Sequence, residues 1–323
     1  MASHRSKDMI SKIESAYTCS LESTNVEEPL FGTMSKSSIW ILLEYPFSWG
    51  AKALKNSKIP QPVKERLSSM VDSSPEVRLQ LIKKPKSNLT GQITIYVAIP
   101  RESQPFLYKF LLSKYDDILN VDFTAIFSGE QVYQDRIQKE PIYLVCTNGK
   151  RDPCCAKFGI PVFTSLRRMG GDKVWQTTHV GGHRFAANVL CFPHGILYGR
   201  VAREDVQPIV DSFQSGKIYL EKYRGRACYN EVVHAAEYYL RNKTNNNGIS
   251  AFHLQGVEEK AENQWSVQFL KSEDNAQYRI QISASLSNYQ IYLSCKDTEK
   301  KSVTIYHLDQ FQVNDQQTTT HTN

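Results

Sequence analysis

The sequence predicts an α/β fold: two successive halves, each a mixed sheet flanked by helices, followed by a small antiparallel β meander. Three observations predict it. Apolar runs of strand length, such as residues 39–45, 93–99 and 142–146, alternate with helical stretches through the first two thirds of the chain. The order of these segments recurs roughly 100 residues later. Beyond residue 260 the pattern changes to alternation, with Tyr278, Ile280, Ile282, Ala284 and Leu286 on one face, the mark of strands buried on one side.

Taken in order, residues 1–36 are polar and broken by Glu27-Glu28-Pro29, which predicts a mobile or loosely docked lead-in. The next unit, residues 37–135, begins with a strand over 39–45 and a helical region over 62–71. Strands over 77–82 and 93–99 follow, then a helix over about 104–115. The unit at 136–226 repeats that order. It has a strand at 142–146, a helix over 153–169, a strand at 174–178, a hairpin of 188–192 with 196–201 across Pro193-His194-Gly195, and a helix over 203–213. The helices expected to end the two units both begin in an Arg-Glu segment. Strand–helix–strand–hairpin–helix is the thioredoxin-like order, so the expectation is two thioredoxin-like halves, with ligands only in the second. Residues 227–313 differ. Val232, Val233, Ala236, Tyr239 and Leu240 make the apolar stripe of a helix stopped by the Asn run at 245–247 and Gly248. Strands marked by Trp265, Val267 and Phe269, by 278–286, by Tyr289, Ile291, Leu293 and Cys295, and by Val303 and Ile305 then form the meander. The polar tail, 314–323, is expected to be disordered.

A chain of 323 residues is long enough for two or three cores, and 41% hydrophobic content is that of an ordinary globular protein. No apolar run approaches the ~18 residues of a membrane span, and the first residues lack the apolar stretch of a secretory signal. The expectation is a cytoplasmic protein with no membrane partner. The net charge of +6 is spread along the chain. It reads as solvated surface first and an acidic protein partner second. No nucleic-acid motif accompanies it, so no nucleic-acid partner is expected. Seven cysteines scattered over a chain without a secretion signal argue against a disulfide framework. Cys146, Cys154 and Cys155 cluster and point to a site, whereas Cys19, Cys191, Cys228 and Cys295 read as single buried or half-buried thiols.

Two short segments carry the chemistry: CTNGKRDPCC at 146–155 and HVGGHR at 179–184. Cys146 ends one expected strand and Cys155 opens the helix after it. His179 ends the neighbouring strand and His183 precedes the next. Loops at the same end of adjacent strands lie side by side, so the four side chains are expected to meet. Gly181 and Gly182 give the loop between the histidines access to φ > 0 and close backbone approach. Two thiolates and two imidazoles suit zinc or an iron–sulfur cluster. Zinc sites usually pair cysteines two to four residues apart, so the wide Cys146–Cys155 loop fits zinc poorly. Thiol redox chemistry favours Cys-x-x-Cys, which is absent, and a vicinal Cys154–Cys155 disulfide is disfavoured. His194 reads as a surface turn residue and His234 as structural. Asn88-Leu-Thr and Asn242-Lys-Thr match glycosylation acceptors that a cytoplasmic chain would leave unused.

The run CTNGKRDPCCAKFG, followed by VWQTTHVGGHRFAANVLCFPHGILYGR, resembles the sucrase/ferredoxin-like family, a branch of thioredoxin-like 2Fe-2S ferredoxins. The resemblance extends through LFGTMSKSSIWILLEYPFSWGAKAL at 30–54 and RGRACYNEVVHAAEYYLR at 224–241, and covers roughly residues 18–242. It implies a 2Fe-2S cluster with one iron on Cys146 and Cys155 and the other on His179 and His183. Cys155 is taken rather than Cys154 because the family's second ligand lies three residues after the Arg151–Asp152 pair. Asn148 stands where many members carry His, at a position that is not a ligand. The implied protein is an electron carrier or redox sensor rather than a self-contained enzyme. Its donor is a separate reductase, since no glycine fingerprint for a nucleotide or flavin is present, and its acceptor is an unknown protein. Imidazole ligands make a cluster less negative and raise its potential, and each leaves a second ring nitrogen to exchange a proton. Arg184 and Asp152 are the sequence neighbours placed to tune that nitrogen. A sucrase would need a positioned carboxylate pair, and nothing in the sequence isolates one. The alternative is a structural zinc site in an interaction module with no redox role.

Overall fold

Each half of the larger sheet is built on a central strand buried on both faces. The computed structural model of the chain describes residues 18–85, 91–129 and 131–314. After a short helix α1 (Cys19–Asn25), the first half runs β1 (Ile39–Glu44), α2 (Gln61–Ser73), β2 (Val77–Lys83), β3 (Ile93–Ile99), β4 (Phe106–Leu112) and α3 (Phe123–Ser128). The second half runs β5 (Ile142–Cys146), α4 (Pro153–Gly170), β6 (Val174–Thr177), β7 (Val189–Phe192), β8 (Ile196–Tyr198) and α5 (Val206–Gln214). Then come β9 (Tyr223–Arg226), α6 (Glu231–Thr244), β10 (Phe252–Ala261), β11 (Gln264–Lys271), β12 (Gln277–Leu286) and β13 (Thr304–Asn314).

The two halves share one topology. In the first, β1 pairs parallel with β2 and antiparallel with β3, and β3 forms a hairpin with β4. In the second, β5 pairs parallel with β6 and antiparallel with β7, and β7 forms a hairpin with β8. Antiparallel pairing of Ile82 with Thr177 and of Lys83 with Gln176 joins the halves into a nine-stranded sheet, β4-β3-β1-β2-β6-β5-β7-β8-β9. The helix expected over 104–115 is instead the strand β4. Its Phe106, Leu107, Phe110 and Leu111 fall at spacings that suit either period. The unpaired edge of β3 decides between them, because a ladder satisfies backbone groups that a short helix would leave exposed. This correction gives the first half the same hairpin as the second.

The sheet is curled. Trp40 on β1 meets Phe192 on β7 edge-on at 5.6 Å, and Tyr96 on β3 meets Trp175 on β6 at 5.9 Å, although neither pair of strands is adjacent. One face of both halves thus closes over a common core of Trp40, Leu42, Leu144, Trp175 and Leu190. On the outer face, Val63 and Leu67 of α2 cover Ile41, Leu43 and Val97. Val162 and Leu166 of α4 and Ile209 and Phe213 of α5 cover Tyr143, Val145 and Val189. Burial on both faces explains why β1 and β5 read as continuous apolar runs.

The antiparallel sheet β10-β11-β12-β13 packs against α6 through Val233, Ala236 and Leu240. A buried charge network ties α6 to β9: Glu237 accepts from Arg226 at 3.2 Å, from Arg241 at 2.8 Å, and from the Tyr223 hydroxyl. Two strands escape the sequence reading. β9 carries Arg224-Gly225-Arg226 and looks like a loop, and β10 is mostly exposed, with Glu258, Glu259 and Lys260 in its second half. Residues 289–295, expected to form a strand, keep only the bridge between Ile291 and Lys301, because the segment turns inward toward α4. The lead-in, expected to be mobile or loosely docked, is docked in its described part. Ser20, Glu22, Ser23 and Glu28 are buried, and the Ser20 hydroxyl donates to the Ala186 carbonyl at 2.9 Å. Its polar composition serves specific hydrogen bonds rather than solvation. Residues 1–17 and 315–323 lie outside the described residues. Among the described residues no helix is long and apolar enough to cross a membrane.

Candidate metal centre

Two loops at the same end of the parallel pair β5 and β6 build the site. The first leaves β5 at Cys146 and turns tightly at Asn148, whose carbonyl accepts from the Arg151 and Asp152 amides at 3.0 and 3.3 Å. Asp152 then caps α4, its Oδ1 accepting from the Cys154 amide at 3.0 Å, with Pro153 in the first turn. Such a cap contributes about 1 kcal/mol and fixes where the helix starts. The turn returns Cys155 to Cys146. Gly159 permits the approach: a Cβ there would lie 2.1 Å from the Cys146 carbonyl oxygen.

The second loop leaves β6 and carries His179 and His183 on either side of two left-handed glycines, with φ of +97° at Gly181 and +67° at Gly182. Arg224 holds this loop. Its guanidinium donates to the Gly181 carbonyl at 3.1 Å, to Asn188 Oδ1 at 2.7 Å and to the Thr33 carbonyl at 2.6 Å. Asn188 in turn donates to the Gly182 carbonyl at 2.9 Å. A Cβ on Gly182 would lie 2.5 Å from Arg224 Nη2. Burial lowers the Arg224 pKa to about 9, which measures how strongly this cation is withdrawn from water.

The four side chains named from sequence come together. The donor atoms of Cys146, Cys155 and His179 lie within 4.8 Å of one another. Cys155 Sγ is 3.8 Å from His179 Nδ1, and His183 Nδ1 is 3.2 Å from His179 Nδ1, with the two rings stacked at 4.1 Å. Both cysteines are buried and both histidines half-buried. The hydrogen bond from Cys155 pulls the Cys146 pKa below its ordinary value, and the same bond raises that of Cys155. Burial, then the neighbouring His179, push His183 down to about 4. His179 also lines an open cavity of about 600 Å³ with Leu54, Val71, Pro75, Arg78 and Gln80. Two thiols and one imidazole at one point, with a second imidazole stacked on the first, are a donor set that fits an iron–sulfur cluster or zinc.

Other expected residues lie elsewhere. Arg184 turns away from the histidines, its Nε donating to both Glu28 carboxylate oxygens at 2.9 and 3.0 Å. The Asp152 carboxylate accepts from Cys154, Ser294 and Cys295 amide or hydroxyl groups and makes no hydrogen bond to either histidine. Cys154 and Cys155 are both free thiols. His194 is not a surface residue. It is half-buried against Phe213 at 5.9 Å, and burial lowers its pKa to about 4. His234 is buried and donates from Nε2 to the Arg226 carbonyl at 2.7 Å. Asn242 is exposed near the end of α6, while Asn88 lies outside the described residues. Sequence reasoning missed Arg224, whose only signal is its place in the RGRACYNE run. It also missed the meeting of Cys19 and Cys295 with Cys154, which no spacing signals.

A family model described as sucrase/ferredoxin-like matches residues 30–225, from ahead of β1 into β9. Among curated relatives, altered inheritance of mitochondria protein 32 of Meyerozyma guilliermondii is 34% identical over 135 residues, 38% of this chain and 46% of that protein. The protein of the same name from Debaryomyces hansenii is 40% identical over 96 residues, 26% of this chain and 35% of that protein. These alignments span less than half the length of those two relatives. Among solved structures, a thioredoxin-like 2Fe-2S ferredoxin from Aquifex aeolicus is similar over 28% of this chain and 94% of its own, at 19% identity and a TM-score of 0.24.

Proposed function

The chain belongs to the sucrase/ferredoxin-like family, and from that premise we propose that it binds a 2Fe-2S cluster through Cys146, Cys155, His179 and His183 and serves as an electron carrier or redox sensor. The observation that supports this reading is the convergence of the four side chains, the donor atoms of three of them within 4.8 Å of one another and the fourth 3.2 Å from His179. When bound, such a cluster supplies one-electron chemistry at a potential raised by imidazole ligation. The residues of the chain do the rest. Cys146 and Cys155 form the dry inner wall. His179 and His183 form the outer wall, and the cavity beside His179 gives a partner's redox group a short path to it. Bound through one nitrogen, each imidazole would keep the other to hold or release a proton, which would couple electron uptake to pH. Arg224 and Asn188 hold the loop that orients both rings. In this reading the electron donor is a separate reductase and the acceptor a separate protein.

A second reading, a single zinc ion on the same side chains, draws on the compactness of the three donor atoms, which suits one ion as well as two. Anaerobic purification without added metal separates the two. The proposal expects a coloured protein with two irons and two acid-labile sulfides per chain, both lost in Cys146→Ser. A colourless protein whose zinc, without iron or sulfide, disappears in that variant overturns it.

A further inference from the structure

We propose that Cys19, Cys154 and Cys295 form a second metal site, a zinc–thiolate centre that staples three distant parts of the chain together. The three sulfurs form a nearly equilateral triangle: Cys19–Cys154 3.5 Å, Cys154–Cys295 3.3 Å and Cys295–Cys19 3.5 Å. One oxygen of Asp152 completes a set of four donor atoms within 4.8 Å of one another. The Cys19 amide points at Cys295 Sγ from 3.5 Å, the kind of N–H···S contact that supports a thiolate. None of the three thiols belongs to the centre described above.

Geometry favours a metal over a disulfide. A disulfide needs two sulfurs about 2.05 Å apart and leaves any third one out. Here no edge of the triangle is singled out. Tetrahedral zinc with Zn–S bonds of about 2.3 Å holds its thiolates about 3.8 Å apart, a few tenths of an ångström beyond the distances at which these thiols now hydrogen-bond. Three soft sulfurs with one hard oxygen select a thiophilic cation such as zinc over magnesium or calcium.

The surroundings suit the charge that zinc binding creates as thiol protons leave. Cys154 lies in the first turn of the 18-residue α4, where the helix dipole favours an anion. Asp152 is held by the Cys154 and Cys295 amides at 3.0 and 2.9 Å and by the Ser294 hydroxyl at 2.8 Å. It stands at the fourth position, 4.0 Å from Cys19 Sγ through Oδ1, and takes it directly or through a water. Cys19 and Cys154 are buried while Cys295 is exposed, which leaves an entry path for the ion.

The consequence is a cross-link. Cys19 belongs to α1, Cys154 to α4 and Cys295 to the long connection between β12 and β13, which carries only the Ile291–Lys301 bridge of its own. Zinc here fastens the lead-in and the meander to the half that carries the first site. Adjacent Cys154 and Cys155 place the two centres on one helix turn.

The test uses the full chain with Cys146→Ser and Cys155→Ser, which removes both thiols of the first site. Loaded with zinc under reducing conditions and desalted, this protein is expected to keep one zinc per chain. Loaded with cobalt(II), it is expected to show the charge-transfer and d–d bands of a tetrahedral thiolate. Adding Cys295→Ser, at an exposed position, weakens zinc binding on the order of 100-fold, since it removes a ligand itself rather than an outer-shell partner, and Cys295→His restores it. Should the double variant not fold, Cys295→Ser in the otherwise unaltered chain is expected to lower zinc by one equivalent and leave iron unchanged. Zinc that persists in Cys295→Ser, no zinc retained by a chain whose three thiols stay titratable, or a disulfide between two of them overturns the proposal. Zinc that follows Cys146 and Cys155 instead counts against the cluster reading and leaves this one standing only if a second equivalent follows Cys295.

Discussion

Cys154 and Cys155 are neighbours in the chain but face different clusters: Cys155 Sγ lies 3.8 Å from His179 Nδ1, whereas Cys154 Sγ lies 3.3 Å from Cys295 Sγ. Successive residues on a helix point about 100° apart, so the first turn of α4 presents one thiol to each site. Cys155→Ser is therefore expected to abolish iron and sulfide binding. Cys154→Ser is expected to leave both intact while weakening the second centre. Iron and sulfide analysis of the two purified variants checks this, and loss of iron in both would contradict the division.

The loop between the histidines depends on Gly182. An alanine there takes a left-handed conformation costing about 1–2 kcal/mol, and its Cβ meets the Arg224 guanidinium at 2.5 Å. Gly182→Ala is expected to lower stability by about 2–3 kcal/mol in thermal or urea unfolding and to reduce metal retention. Gly181, whose Cβ would meet nothing within 4 Å, carries only the conformational part of that penalty. Equal losses in the two variants would show that contact with Arg224 is immaterial.

Replacing either histidine by cysteine tests the ligand type. His179→Cys or His183→Cys is expected to keep a coloured protein, to lower its reduction potential by on the order of 100 mV and to weaken its pH dependence. Protein-film voltammetry across pH 6–9 reads both effects. An unchanged potential in both variants would place the histidines off the iron.

Acid stability follows from buried groups away from the site. Burial holds His194 and His234 at a pKa of about 4, against about 6.5 in an unfolded chain. Between those values the unfolded chain binds protons that the folded chain refuses, so stability is lost as pH falls from 6.5 toward 4. For His234 the loss is about 3 kcal/mol when complete. Glu237 adds a second, lower window. Burial raises its pKa, but Arg241 and Arg226 outweigh burial and hold it at about 2, so its stabilisation is lost as pH falls below about 4.3. Unfolding midpoints measured from pH 7.5 to 4.5 should fall steadily, and less steeply in His194→Gln. A flat profile would mean that these histidines are not held neutral.

The sheet was legible where both faces of a strand are buried, because β1, β3 and β5 then read as unbroken apolar runs. It was illegible where polar residues do structural work. β9 hides behind Arg224 and Arg226, both fully buried and held by hydrogen bonds from their guanidinium groups. The docked lead-in hides behind Glu22 and Glu28. β4 was mistaken for a helix because pairing with β3, a tertiary choice, settles an ambiguous period. Cys146, Cys155, His179 and His183 stood out because each pair is close in sequence. Cys19, Cys154 and Cys295 lie 135 and 141 residues apart, so only the folded chain brings them together.

The central claim is two-cysteine, two-histidine ligation of a 2Fe-2S cluster, and hyperfine spectroscopy of the reduced protein carrying nitrogen-15 only in histidine tests it most directly. The account predicts strong coupling to two histidine nitrogens, one of them lost in His179→Cys and the other in His183→Cys. A paramagnetic cluster without nitrogen coupling, or a protein with no reducible iron at all, would contradict it.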